Sequence, residues 1–90
     1  MQNNEQNIEQ YRYEIDETDK QIIFYLNKRK EISEKLINLK LAQGQEVFNP
    51  EREKEIINKL YSDQNNKLPL GIIRKIYQEI FHSSKSGFIE

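Results

Sequence analysis

From Met1 to Gln43 the chain contains neither proline nor glycine, and apolar residues recur through this stretch at helical spacing. Ile8, Ile15, Ile22 and Leu36 mark the stripe, with Leu26, Ile32 and Ile37 beside it, as expected of one long amphipathic helix. A helix of some 35 residues is roughly 50 Å long at ~1.5 Å per residue. A compact chain of this size has a radius of gyration near 12 Å, hence a diameter of roughly 30 Å. The helix overshoots its own monomer, so a partner chain is expected to cover the overhang.

Three cations stand out within this helix. Arg29, Ser33, Leu36 and Lys40 follow an i, i+4, i+7, i+11 course and share one face, which carries apolar Leu36 and is therefore expected to meet something packed rather than open water. Arg29 and Lys40 are about 16 Å apart along the axis, close enough for their long side chains to converge on one small anion. Arg12 precedes Arg29 by about 25 Å and is turned about 100° round the helix, so it does not easily join that site within one chain but could reach a partner's site in an antiparallel dimer. Two readings stand at this point: an anion-binding set, or solvated charges snorkelling along a coiled-coil flank.

Composition narrows the classes. Fourteen Lys+Arg against fifteen Asp+Glu give a net charge of −1, without the basic excess that nucleic-acid or membrane-surface binding requires. The mean hydropathy of −0.93 combined with clear periodicity fits helices with a large polar surface rather than disorder. Ninety residues make one domain, small enough to gain from a second subunit. There is no cysteine, hence no disulfide or thiolate site. The Gln/Asn-rich residues 1–7 resemble no signal peptide and are expected to fray. No run approaches the ~20 apolar residues of a membrane span, and a cytoplasmic location is the default expectation.

Gly44 is a C-terminal stop for the first helix. Asn49-Pro50-Glu51-Arg52-Glu53 reads as a helix start, with Asn49 as the cap, Pro50 at the first position and acids in the first turn. That second helix runs to about Tyr61 or Ser62, burying Ile56, Ile57 and Leu60. After a polar loop over 62–67, a third helix begins around Leu68 to Leu70, with Pro69 near its first turn. Its stripe is Ile72, Ile73, Ile76, Tyr77, Ile80 and Phe81; Ser84 continues the line, and Gly87 ends it. No segment alternates with period two, so the chain is all-α: one long helix and two shorter ones.

Chemistry-bearing residues are few. There is no phosphate loop, no metal-ligand cluster and no triad around His82, and Ser33 and Ser84 lack a base. Asp16 and Asp19 read as structural, pairing with Lys20 or capping inter-helix contacts. The run Lys28-Arg29-Lys30-Glu31 reads as mostly a solvated face, in which only Arg29 falls on the packed stripe. What remains is a set of cations with Arg52, Glu53 and Ser84 near helix ends, suited to a small dianion and to a reaction needing positioning and electrostatics rather than proton transfer. No cofactor is implied.

These residues resemble a known family. Arg12-x-x-Ile15-Asp16-x-x-Asp19-x-x-Ile22-Ile23-x-x-Leu26-x-x-Arg29 is similar to the opening of the all-helical chorismate mutases. Lys40, the Gly44 turn, Val47-Phe48-Asn49-Pro50-x-Arg52-Glu53 and Ser84 continue the likeness in order, from about residue 8 to 88. The resemblance implies an intertwined homodimer with two sites that rearranges chorismate to prephenate. In it Arg29 of one chain and Arg12 of the other hold the substrate's carboxylates, and Lys40 bonds the ether oxygen. Arg52 and Glu53 line the site, Glu53 taking the ring hydroxyl, and Ser84 assists at a carboxylate.

Two positions depart from the family. Asn49 stands where Asp is usual, which leaves the cap intact. Phe88 stands where the family commonly has Gln or Glu as a second donor to the ether oxygen, so Lys85, Ser86, a water or an activating partner enzyme would have to serve. The alternatives are an isochorismate-pyruvate lyase, an aminodeoxychorismate mutase, a non-catalytic metabolite-binding paralogue, or a plain helical dimerisation module.

Overall fold

The computed structural model describes the backbone of residues 4–85, with side chains from Asn7 onward. It consists of α1 (Asn4–Ala42), α2 (Pro50–Ser62) and α3 (Leu70–Lys85), with no strand among the described residues. Asn4–Asn7, within the polar start where fraying is expected, already belong to α1. The ends anticipated at Ser86, Gly87 and Phe88 lie outside the described residues. No helix of the described residues is long and apolar enough to cross a membrane.

Local chemistry sets the boundaries. At the end of α1 the Gln45 N–H donates to the Lys40 carbonyl at 2.9 Å and the Gly44 N–H to that of Leu41 at 3.2 Å. Gly44 sits at φ +69°, the left-handed conformation this pair of bonds needs and a side chain resists. The Asn49 side chain accepts from the Arg52 N–H at 3.1 Å to cap α2. Asn66 shapes the next turn, accepting from the Leu68 N–H and donating to the carbonyls of Tyr61 and Leu68. Pro69 lies one residue ahead of α3, and its carbonyl accepts from both Ile72 and Ile73.

α3 packs against both α1 and α2, but the interior it creates is small. Among the described residues only Ile37, Ile73 and Phe81 are buried, with Tyr77 edge-to-face on Phe81 at 5.7 Å. Ile56, Ile57 and Leu60 are half-buried, and Ile72 and Ile76 are exposed rather than buried. The sequence stripes are wider than the surface one chain can cover. The long helix explains why: the radius of gyration is 17.7 Å and the molecule extends 66 × 24 × 21 Å. α3 covers only the C-terminal half of α1. From Ile8 to Tyr25 every residue except Glu17 is exposed.

Candidate active site

A cavity of about 470 Å³ opens where the second half of α1 meets the connection to α2, the first turn of α2 and the last turn of α3. Arg29, Lys40, Asn49, Arg52, Glu53 and Ser84 all line it. Six of the positions singled out in the sequence are thus brought to one place by three helices. Arg12 is not among the lining residues; it lies in the exposed half of α1, paired with Glu9 at 3.0 Å. Phe88 falls outside the described residues.

Arg29 is the most firmly held of the set. Its Nη1 donates to Ser84 Oγ at 3.0 Å, and the Ser84 hydroxyl donates in turn to the Ile80 carbonyl at 3.0 Å. The guanidinium also lies over the rings of Phe81 and Tyr77, at 5.4 and 5.8 Å from their centroids. A guanidinium has five N–H donors, so fixing it through one leaves others for a ligand carboxylate. Ser84 therefore acts on Arg29 in this arrangement.

Lys40 is held through its backbone. Its carbonyl closes the turn at Gly44, while its half-buried side chain has no hydrogen-bonding or ionic partner among the described residues. Arg52 is turned along α2, its Nη1 2.8 Å from Glu55. Lys59 and then Arg52 hold the Glu55 carboxyl below the usual carboxylate range. The Arg52–Glu55 pair is half exposed and worth little, so a ligand anion can draw Arg52 away at small cost. Glu53 Oε2 is paired with Lys85, whose ammonium also lies 5.4 Å from the centre of the Phe48 ring.

Three readings of the sequence need correction. Lys30 is half-buried and donates to the Ser83 carbonyl at 2.9 Å, and Lys28 lines the cavity. The run around Arg29 is therefore not a solvated face with one exception, because α3 ends beside it and supplies acceptors. Lys20 pairs with Glu17 at 3.2 Å rather than with Asp16 or Asp19, the i, i+3 spacing placing those two groups together. Leu36 is 51% exposed: it faces the cavity, not a packed neighbour.

Fold and cavity together define a small all-helical protein with a cationic pocket of a size that suits one small organic anion. The chain belongs to the chorismate mutase type II family, whose sequence pattern matches residues 11–87. That membership makes it an isomerase. Two crystal forms of the chorismate mutase of Thermus thermophilus are similar to it, both at 28% identity. Form I superposes with a TM-score of 0.80 over 87% of this chain and 98% of that one. Form II gives 0.82 over 89% and 91%. No curated protein matches the chain by sequence.

Proposed function

We propose that this chain is a chorismate mutase that rearranges chorismate to prephenate in a site completed by a second copy of itself. The convergence of Arg29, Lys40, Arg52 and Glu53 on one cavity, in a chain carrying the family's pattern, supports this reading best. The reaction is unimolecular: one carbon–oxygen bond breaks as one carbon–carbon bond forms, with no proton transferred. The protein's share is to select the chair-like conformer and to stabilise the negative charge that grows on the ether oxygen.

Arg29, oriented by Ser84 and the two aromatic rings, takes one carboxylate, and Arg12 of the second copy takes the other. Arg52 leaves Glu55 to add charge at the same end. The ammonium of Lys40, without a partner among the described residues, donates to the ether oxygen, where a preorganised donor is worth most in the transition state. Glu53 accepts the ring hydroxyl. Ser84 meets a carboxylate directly only by rotating its hydroxyl off the Ile80 carbonyl. The exposed apolar half of α1 is the surface the second copy covers. The similar structures are chorismate mutases, and neither the lyase, the aminodeoxychorismate reaction nor a non-catalytic role is favoured.

The test is chorismate consumption by the purified protein, with the product identified by NMR. Prephenate is expected from the wild-type chain. A protein that forms a dimer yet leaves chorismate unchanged, or converts it to another product, contradicts the proposal.

A further inference from the structure

The ion pair between Lys85 and Glu53 differs from every other among the described residues. The remaining pairs join residues three or four apart within one helix. This one joins α3 to α2 across the cavity, and its side chains are the least exposed, at 25% and 28%. It also sits where two helix ends favour it. Glu53 is in the first turn of α2 and Lys85 in the last turn of α3, so each charge complements the dipole of its own helix. The Phe48 ring beside the ammonium restricts it further.

Among the described residues the cavity is lined by five basic side chains, Lys28, Arg29, Lys40, Arg52 and Lys85, against the single acid Glu53. A lone carboxylate beside a dianionic ligand repels it and is free to swing toward any of those cations. Pairing through Oε2 offsets the repulsion and fixes the group, with Oε1 lying outside that contact. We infer that Lys85 is a positioning residue that holds Glu53 as an acceptor for a hydroxyl of the bound substrate, and so sets how strongly the hydroxylated ligand is recognised. This rests on the mutase reading given above. Lys85 acts through Glu53 and need not touch the reacting atoms.

A double-mutant cycle tests it, with steady-state kinetics on chorismate for the wild type, Lys85→Met, Glu53→Gln and the double variant. Lys85→Met is expected to raise KM about tenfold with kcat within about twofold, and Lys85→Arg to restore KM. In the Glu53→Gln background the same Lys85→Met change is expected to alter KM by less than about twofold, since no carboxylate remains to be held. A Lys85 that acted independently of Glu53 would give the same loss in both backgrounds, and that result overturns the inference, as does a Lys85→Met enzyme indistinguishable from the wild type. Calorimetric titration with the product prephenate, which is not turned over further, reads the same cycle as Kd. A wild-type chain that turns over chorismate without this coupling overturns only the role of Lys85. One that neither binds nor converts chorismate overturns both proposals.

Discussion

The two halves of α1 carry the same apolar stripe and meet opposite fates. Between Arg29 and Lys40 the helix has α3 alongside: Ile37 is buried, Arg29 and Lys30 find acceptors on α3, and a cavity forms. Between Ile8 and Tyr25 the stripe faces nothing among the described residues, and Ile15, Ile22 and Ile23 are each at least half exposed. A contiguous apolar face of that length is the kind of surface that marks association sites. By the proposal above, one chain supplies half of an interior and half of each site.

The largest expected effect lies in the packed half. Lys40→Ala should lower kcat/KM by on the order of 10³-fold, about 4 kcal/mol of transition-state stabilisation, with circular dichroism and sedimentation unchanged. Lost helicity alongside lost activity would instead make Lys40 structural. Phe81→Ala, which removes a buried ring of the small core, should cost about 3 kcal/mol in denaturant unfolding.

In the bare half, Ile22→Asp should cost about 2 kcal/mol per copy from lost apolar burial. It should show as a dimer that dissociates at concentrations where the wild type holds. An unchanged association constant would mean that the second copy covers some other surface. The smallest change is at the cap: Asn49→Ala should lower stability by about 1 kcal/mol and raise KM modestly, since Arg52 and Glu53 ride on the turn that Asn49 starts.

The elements are legible in the sequence because their signals are local. Gly44 at positive φ, Asn49 and Pro50 at the start of α2, and Pro69 ahead of α3 each act on backbone within a few residues. The convergence of Arg29 and Lys40 is legible too, since both lie on one helix face. The anchoring of Lys30 and Lys85 is not, because their partners, Ser83 and Glu53, belong to other helices. For Leu36, periodicity marks an apolar face without saying whether a neighbour or a cavity lies opposite. Arg12 is the converse: its distance from Arg29 along one helix already points to a second chain, and within a single chain it stays apart from the cavity.

The central claim is that each site joins Arg29 of one copy to Arg12 of another, and subunit mixing tests it most directly. Arg12→Ala and Arg29→Ala should each be inactive alone. Unfolded together and refolded at equal concentration, they should recover activity from about a quarter of the wild-type sites, because half the dimers are mixed and each holds one intact site. Mixed dimers that form but recover nothing would contradict the shared site.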